Sequence, residues 1–359
     1  DIIDQCSSLK IIGRGGVGMD NIDVDYARKK GIHVINTAEA SSNSVAELVF
    51  AHLFSMVRFL FDSNRKMPLS GDSEFKSLKK SYAKGKELKG KTLGIIGFGR
   101  IGEEVVKKAI GLGMKVNVYD KYIKEKKVIL KFFNDEEKVF KIKTEQLECV
   151  LKESDFITLH IPKTSNTAFI NAEEIGLMKT GAGIINTSRG GLVDETALMF
   201  ALDKQKIAYA GLDVFDNEPG ASDPRFESEI TKQPNMYGTH HIGASTDEAS
   251  EAVGDEVVRI IRVFANEGWV PNCVNIAEST PATHALIVRH ADKVGVLANL
   301  LGQLKEEGIN VQQMENIIFK GAPACARIQL ADAPSSTALS SIDANPDVFN
   351  TSLVELEKS

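Results

Sequence analysis

Two adjacent histidines, His240 and His241, stand in the glycine-flanked sequence YGTHHIGAST at residues 237–246. Histidine suits proton transfer near neutral pH, because the ordinary pKa of imidazole lies close to neutrality. The chain contains only seven histidines, so the pair is a candidate for acid–base catalysis, although many histidines are ordinary packing or surface residues. Which ring does chemistry, if either does, depends on the elements that position the pair.

The composition describes a globular protein without the usual signs of nucleic-acid or membrane binding. The chain has 359 residues, 43% of them hydrophobic and 26% charged, which predicts two or three domains. Its net charge of −6 and the lack of a basic stripe argue against nucleic acid as a partner. The cysteines are too far apart in sequence for a zinc or disulfide framework, and no stretch reaches the ~18 apolar residues of a membrane helix. We therefore expect no metal, no membrane contact and, without a signal peptide, a cytoplasmic location.

A nucleotide-binding pattern lies in the sequence KTLGIIGFGRIG, residues 91–102. Apolar residues at 93–96 predict a short buried strand, and the apolar spacing at 101–110 predicts a helix. Residues 114–119 predict a second strand, which ends at Asp120, about 20 residues beyond the glycines. This order of strand, glycine-rich turn, helix and strand is the one that binds a dinucleotide.

Each glycine of this pattern has a separate physical task. Gly97 allows a tight turn, Gly99 lets the backbone approach a pyrophosphate, and Gly102 lets the helix pack closely on the strand. The start of the helix offers unpaired N–H groups to the same anion. Asp120 would accept hydrogen bonds from the ribose hydroxyls and repel a 2′-phosphate, which favours NAD over NADP. Two lysines that follow it leave NADP open, and the alternative is that Asp120 is an ordinary carboxylate at a strand end.

The alternation of strands and helices continues beyond this unit and predicts an α/β fold of the Rossmann type, with a doubly wound parallel sheet. Further strands are indicated at residues 156–161, 183–186, 209–213 and 236–237, while the charged segment 121–143 indicates a surface excursion with a short amphipathic element. Ligands of such sheets bind beyond the carboxyl ends of the strands. The candidates that follow those ends are His160, Thr187, Ser188, Arg189, Asp213, Glu218 and the histidine pair.

Several stretches closely resemble the D-2-hydroxyacid dehydrogenases. They are residues 94–102, NTSRGGLVDE at 186–195, GLDVFDNEP at 211–219 and THHIGAS at 239–245, together with GRGGVGMDN at 13–21 and NSVAEL at 43–48. The stretches follow the order of the family over residues 9 to about 275. The resemblance implies a flavodoxin-like substrate domain, whose first strands would precede Asp1, and a Rossmann domain that binds NAD.

The resemblance also assigns roles within the histidine pair. The catalytic histidine of the family directly precedes Ile-Gly, which is His241, and Glu218 matches its carboxylate partner. Arg189 matches the arginine that anchors the substrate carboxylate, a task that suits its planar fork. His240 stands where the family usually has proline, so we expect it to be a structural neighbour. A base at His241 would take the proton of the C2 hydroxyl as the C2 hydride leaves.

Further contacts are implied by the same match. In the family, the residue matching Asp213 accepts a hydrogen bond from the carboxamide of the cofactor. A loop rich in backbone N–H groups near the start of the chain would bind the substrate carboxylate. The predicted cofactor-binding residues are Gly97, Gly99, Arg100, Ile101, Gly102, Asp120, Ile161, Pro162, Thr187, Ser188, Arg189, Asp213, His241, Gly243 and Ala244. The predicted substrate-binding residues are Arg14, Gly15, Gly16, Val17, Gly18 and Arg189.

The C-terminal part carries a different pattern. Strands at 284–290, 310–319, 324–330 and 349–356 and helices at 294–306 and 336–342 follow a βαββαβ order, typical of a ferredoxin-like module. The sequences HADKVGVL at 290–297 and GINV at 308–311 resemble the ACT domain, a small amino-acid-sensing unit. The resemblance implies pairing of copies into a homodimer or homotetramer. It also implies an L-serine effector site between two copies, with His290, Asp292 and Asn310.

These observations together predict a domain order and an activity. We expect the first part of a substrate domain at 1–88, an NAD-binding domain at 89–245, a helix and linker at 246–281, and an ACT domain at 282–359. The basic residues Arg14, Lys79 and Lys80 suit a phosphorylated 2-hydroxy acid, unless the two lysines are only solvated surface charge. The expected reaction is the NAD-dependent oxidation of D-3-phosphoglycerate to 3-phosphohydroxypyruvate, the first step of L-serine biosynthesis. One alternative is another 2-hydroxyacid dehydrogenase, such as a glyoxylate or hydroxypyruvate reductase. The other is a non-catalytic NAD-sensing scaffold similar to a co-repressor.

Overall fold

The computed structural model of the protein describes residues 2–219, 225–277, 280–321 and 323–356. The chain divides into two compact units, residues 1–275 and residues 276–359. The first unit contains all of the predicted catalytic, cofactor and substrate residues, and the second contains the predicted effector residues. The finer division of the first unit into substrate and nucleotide-binding domains stays a prediction.

The first unit begins with a small parallel sheet followed by a run of helices. The elements are α1 (Ile2–Gln5), β1 (Ile11–Arg14), α2 (Val24–Lys29), β2 (His33–Asn36), α3 (Ser42–Arg58), α4 (Leu60–Ser70) and α5 (Phe75–Ser81). β1 and β2 pair in parallel. In the described part of the chain no single helix is long and apolar enough to cross a membrane. α3 and α4 would pass that test only as a pair bent by 59°, and α3 is largely buried within the unit.

The larger sheet of the first unit carries the predicted nucleotide-binding pattern. Its part of the chain contains β3 (Thr92–Ile96), α6 (Arg100–Gly111), β4 (Lys115–Tyr119), β5 (Glu125–Lys131), β6 (Glu137–Lys143), α7 (Leu147–Glu153), β7 (Phe156–Leu159), α8 (Ala172–Leu177), β8 (Ala182–Asn186), α9 (Glu195–Asp203), β9 (Ile207–Leu212), β10 (Met236–Gly238) and α10 (Asp247–Glu267). Six of these strands form a parallel sheet in the order β10-β9-β8-β7-β3-β4. The direction of winding changes between β3 and β7, and such a switch point is where open α/β sheets bind ligands. The predicted Rossmann-type fold is confirmed.

Both faces of this sheet are buried. Along β3, the side chain of Ile95 packs into a core with α3 and α6, whereas Ile96 packs into the core on the opposite face, with α7, α8 and α9. Strands buried on both faces read as continuous apolar runs rather than as alternating ones. The short apolar runs in the sequence therefore predicted where the strands of this sheet lie.

The charged segment at 121–143 is a β-hairpin. β5 and β6 pair antiparallel over their whole length. Val128 is fully buried and joins the core that includes α6, while Phe133 at the turn is fully exposed. The predicted short amphipathic element is therefore a two-stranded ribbon that lies against the nucleotide-binding sheet through one face.

The second unit has the predicted βαββαβ order. Its elements are β11 (His284–Ala291), α11 (Val296–Glu306), β12 (Val311–Ile318), β13 (Pro323–Leu330), α12 (Ser336–Asp343) and β14 (Val348–Glu355). The strands form an antiparallel sheet in the order β12-β13-β11-β14, and Leu286, Leu300 and Ile328 lie in its core. This strand order is that of a ferredoxin-like domain.

Candidate active site at the carboxyl ends of the parallel strands

The structure pairs His241 with Glu218 and leaves His240 outside the pair. Glu218 Oε2 lies 2.7 Å from His241 Nδ1, and Glu218 Oε1 accepts a hydrogen bond of 2.9 Å from the Phe215 N–H. Because a carboxylate accepts, Nδ1 of His241 carries the proton, and Nε2 remains available to a substrate. The His241 side chain is 51% exposed and that of Glu218 33%. A solvent-facing imidazole oriented by a partly buried carboxylate is suited to accept and return a proton.

Asp213 holds the loop that carries His241. It lies at the end of β9, is fully buried, and accepts hydrogen bonds from the Ile242 and Gly243 N–H groups at 2.8 Å each. Its Oδ1 also accepts from the Thr239 hydroxyl at 2.6 Å, and its backbone carbonyl accepts from the His241 N–H. We expected Asp213 to accept from the carboxamide of the cofactor. The carboxylate already satisfies three donors of the loop, with one of them on Oδ2, and its contact with the carboxamide stays a prediction.

The glycine-rich turn after β3 has the close approaches that its pattern predicts. Gly97 has a φ of 102°, and a Cβ on it would lie 2.4 Å from the carbonyl oxygen of His160. A Cβ on Gly102 would lie 2.1 Å from the carbonyl oxygen of Gly97. Both contacts exclude any side chain, so the turn, the helix α6 and the neighbouring strand β7 meet only because glycine stands at these positions.

Asp120 is bound to the same turn. Its Oδ2 accepts a hydrogen bond of 2.7 Å from the Phe98 N–H, and its Oδ1 accepts from the N–H groups of Tyr122 and Ile123. Burial alone would raise the pKa of Asp120, but the three backbone donors outweigh burial and hold that pKa below its usual value. Asp120 therefore anchors the turn, and it also lies where a carboxylate that binds the ribose hydroxyls is expected.

The residues around the turn fit a dinucleotide. Open space of at least 4 Å lies over the position where Gly99 would carry a Cβ, which leaves room for a pyrophosphate against the backbone. Among the described residues, His160 Nδ1 and Thr187 Oγ1 are buried without a hydrogen-bond partner. His160 follows β7, which borders the switch point, and Thr187 follows β8, the next strand of the sheet. Buried polar atoms without partners are rare in native proteins. Burial lowers the pKa of His160 to about 3, so its ring stays neutral.

Arg189 lies against the loop predicted to bind the substrate carboxylate. Its Nε donates to Asp20 Oδ2 at 3.1 Å, and its Nη1 donates to the Ser188 carbonyl at 2.6 Å. A Cβ on Gly18 would lie 1.9 Å from Arg189 Nη2, so the guanidinium is packed on that glycine. The sequence did not indicate Asp20, whose side chain is 76% exposed. In the structure the guanidinium is therefore paired with a carboxylate of the protein.

The substrate loop itself is only partly open. The Gly16 N–H donates to Thr37 Oγ1 at 2.8 Å, so it is already occupied, contrary to its expected role as an anion donor. Arg14 donates to the Gly18 carbonyl at 3.1 Å and thereby braces the loop. In the described chain no hydrogen bond is made by the N–H groups of Gly15, Val17 and Gly18, so three of the four predicted donors of the loop are free.

Other predicted residues lie where their strands and helices place them. Arg100 begins α6 and faces Glu39 at 3.7 Å, and Ser188 donates from its hydroxyl to the Leu159 carbonyl at 2.6 Å. Lys79 lies elsewhere, in a cleft of about 230 Å³ between α4 and α5 that contains none of the predicted site residues. Gly15 follows β1, Ile101 lies in α6, Ile161 and Pro162 follow β7, and Gly243 and Ala244 lie between β10 and α10, and their contacts with a ligand stay predictions.

Two supporting residues were missed because only the folded structure gives them partners. Asn186 at the end of β8 donates from its amide to the Arg189 carbonyl and accepts from the Ser188 N–H, which fixes the turn that carries Arg189. Glu195 accepts from the Asp216 N–H at 2.8 Å, and burial raises the pKa of Glu195. Both lie in motifs quoted from the sequence, but a motif does not reveal which backbone groups need a partner.

The predicted effector residues of the second unit are not equally accessible. His290 is 1% exposed, and its ring nitrogens lie 2.8 Å from the Ala291 carbonyl oxygen and 3.0 Å from Asn316 Oδ1. Both nitrogens therefore face groups of the same chain, and a role of His290 in effector binding stays a prediction. Asp292 and Asn310 are exposed, at opposite ends of the sheet.

Comparison with known proteins gives consistent matches. A family model described as "D-isomer specific 2-hydroxyacid dehydrogenase, NAD binding domain" matches residues 50–243. Hydroxypyruvate reductase of Thermotoga maritima is 44% identical over 262 residues, which are 73% of this chain and 79% of that protein. D-3-Phosphoglycerate dehydrogenase of Methanocaldococcus jannaschii is 38% identical over 311 residues, 86% of this chain. The chain spans only 56% of that second relative.

Solved structures show the same fold. The structure of D-2-hydroxyisocaproate dehydrogenase is similar with a TM-score of 0.65 and 28% identity, and covers 77% of this chain and 82% of that one. The matched family region contains Asp213, Glu218 and His241 as well as the glycine-rich turn.

Proposed function

Because the chain belongs to the D-isomer specific 2-hydroxyacid dehydrogenase family, we propose that it oxidises D-3-phosphoglycerate to 3-phosphohydroxypyruvate with NAD. This reaction begins L-serine biosynthesis. The observation that supports the reaction type is the 2.7 Å contact between Glu218 and His241, at the same carboxyl-end edge of the parallel sheet as the glycine-rich turn. A base held in this way is what the oxidation of a secondary alcohol requires.

The proposed mechanism divides the work among three side chains. NAD, when bound, accepts the hydride that leaves C2 of the substrate. His241 Nε2 takes the proton of the C2 hydroxyl, and the imidazolium so formed is stabilised by the carboxylate of Glu218 beside it. Arg189 releases Asp20 and grips the substrate carboxylate with its planar fork, which places C2 in front of the base. In the reverse direction His241 returns the same proton to the forming alcohol.

The choice of substrate rests on how far the relatives match. The phosphoglycerate dehydrogenase of M. jannaschii aligns over 311 residues, more than the 275 of the first unit, so its match reaches into the second unit. The N–H groups of Gly15, Val17 and Gly18, which have no partner within the described chain, and the neighbouring Arg14 suit an anionic substrate. The second candidate is reduction of hydroxypyruvate or glyoxylate, which the 44% identity to the T. maritima reductase favours.

A substrate panel tests the proposal. The whole protein would be assayed for NAD reduction with D-3-phosphoglycerate, D-glycerate and D-lactate, and for NADH oxidation with hydroxypyruvate and glyoxylate. We expect kcat/KM to be highest for D-3-phosphoglycerate. A preference for hydroxypyruvate or glyoxylate would support the second candidate. Binding of NAD without turnover of any of these compounds would overturn both and leave an NAD-sensing role.

A further inference from the structure

His52 is a buried histidine that the proposed mechanism does not use. It lies on α3, is 4% exposed, and its Nε2 lies 3.2 Å from the hydroxyl oxygen of Thr239. A Cβ on Gly211 of β9 would lie 3.1 Å from Cβ and Cγ of His52, so the histidine is packed directly on that strand. The ring therefore reaches across the end of the sheet to the loop that carries His241.

The direction of the hydrogen bonds from His52 follows from the groups involved. The Thr239 hydroxyl donates its one hydrogen to Asp213 Oδ1 at 2.6 Å, because a carboxylate only accepts. The contact between Thr239 and His52 must then run the other way, with Nε2–H of His52 donating to the hydroxyl oxygen. Burial lowers the pKa of His52, so the ring is neutral and has one N–H to donate. His52 therefore donates to Thr239, and Thr239 donates in turn to Asp213.

This series of hydrogen bonds ends at Asp213, which holds the backbone of the loop that carries His241. Asp213 accepts from the N–H groups of Ile242 and Gly243 with its carboxylate and from that of His241 with its carbonyl. His241 itself has a φ of 54°, a left-handed conformation that a non-glycine residue adopts only when its surroundings hold it there. Helix α3 also contacts the far side of the loop, where Ser44 donates to the Gly243 carbonyl at 2.7 Å.

We infer that His52 is a positioning residue for His241, which acts through Thr239 and Asp213 to hold the catalytic loop in the conformation that pairs His241 with Glu218. The inference deepens the proposed function and rests on it for its effect on turnover. Its effect on the loop is independent of any substrate. Removal of the donor would free the Thr239 hydroxyl to turn away from Asp213 and would loosen the backbone beneath His241.

Three variants separate a hydrogen-bonding role from simple packing. His52→Met keeps the volume and removes the donor, whereas His52→Gln places an amide N–H near the former Nε2. Met56→Leu is the matched control, because Met56 also packs on Gly211 but has no N–H group that could donate to Thr239. Thr239→Val breaks the same series of hydrogen bonds from the loop side and serves if His52→Met does not fold. Each variant would be measured for kcat, for KM for NAD, for the effect of deuterium at C2 on kcat, and for amide hydrogen exchange over residues 236–246.

Loss of one hydrogen bond of this kind predicts that kcat of His52→Met falls about fivefold. We expect an unchanged KM for NAD, a larger deuterium effect, and faster exchange of the 241–243 amides. His52→Gln and Met56→Leu should stay within about twofold of the parent protein. Unchanged exchange and kcat in His52→Met, or equal losses in His52→Gln, would overturn the inference. A parent protein without turnover would refute the proposed function instead, and the exchange rates would still decide the role of His52.

Discussion

Glu218 contacts both the imidazole of His241 and the backbone N–H of Phe215. One carboxylate oxygen lies 2.7 Å from His241 Nδ1, and the other accepts from the Phe215 N–H at 2.9 Å. The backbone bond fixes the carboxylate, and the fixed carboxylate selects the tautomer of His241 that leaves Nε2 open. His240 is exposed and has no such partner among the described residues, so the two neighbouring rings have different tasks.

Replacement of His241 by Asn should abolish most turnover without loss of NAD binding. General acid–base catalysis contributes at least about a hundredfold, so kcat should fall by that factor or more. The glycine-rich turn does not depend on the ring, and the dissociation constant for NADH, measured by fluorescence titration, should stay within about twofold. His240→Asn is the control and should lose less than about threefold in kcat. Comparable losses of kcat in both variants would contradict the assignment of His241 as the catalytic base.

Replacement of Arg189 by Lys should reduce kcat/KM by about tenfold or more, although the charge is kept. A lysine has no planar fork, so it cannot bind the carboxylate through two parallel hydrogen bonds. Arg259→Lys is a matched control, because Arg259 forms a two-contact pair with Glu256 on the surface of α10. Steady-state kinetics would measure both variants. Near-normal kinetics for Arg189→Lys would exclude Arg189 from the substrate site.

Asp120→Ala separates two tasks of one carboxylate. If Asp120 binds the ribose hydroxyls, its loss should weaken the binding of NAD and bring the NADP and NAD dissociation constants closer together. If Asp120 only holds the turn through the Phe98 N–H, both constants should rise by the same factor. We expect the first result, with some loss of thermal stability. Asp155→Ala is the control, because Asp155 accepts from the Thr92 N–H at the other end of β3 and should lower stability without changing cofactor preference.

The strands and helices around the site could be predicted because their signals are local. The apolar run at 93–96 and the spacing of Gly97, Gly99 and Gly102 depend on neighbours within a few residues, and the structure has β3 and α6 there. The pairing of Glu218 with His241 was predicted only from the family resemblance. It joins residues 23 apart in sequence, beyond the reach of any periodicity.

What the sequence did not reveal is which backbone groups need a partner. Gly16, Asp120 and Asp213 were assigned to ligands, yet each has a partner within the protein. The Gly16 N–H donates to the Thr37 hydroxyl oxygen, Asp120 accepts from the Phe98 N–H, and Asp213 accepts from the Thr239 hydroxyl. His52 was not noticed at all, because Thr239 lies 187 residues away along the chain. Buried polar atoms must be paired, so such contacts are set by tertiary packing rather than by residue type.

Regulation by L-serine is the remaining prediction, and the structure limits which of the predicted residues could contact the serine. His290 is buried with both ring nitrogens engaged, whereas Asp292 and Asn310 are exposed. Asp292 follows the end of β11, and Asn310 lies at the opposite end of the sheet, about 26 Å away along the eight residues of a strand. One copy therefore cannot bring both to a single serine. The site requires two copies, with the carboxylate of Asp292 on the ammonium group and Asn310 of the other copy on the serine carboxylate or hydroxyl.

Serine can change activity only if it binds one conformation of the protein more tightly than another. We predict that millimolar L-serine lowers kcat/KM of the whole protein and releases heat in calorimetry. Asp292→Ala and Asn310→Ala should each abolish the heat, whereas Asp332→Ala, which also removes an exposed carboxylate from the second unit, should not. Sedimentation at micromolar concentration should show at least a dimer. A single-chain mass would contradict a site shared between copies. A dimer that shows neither heat nor inhibition would leave the second unit as an assembly surface without an effector.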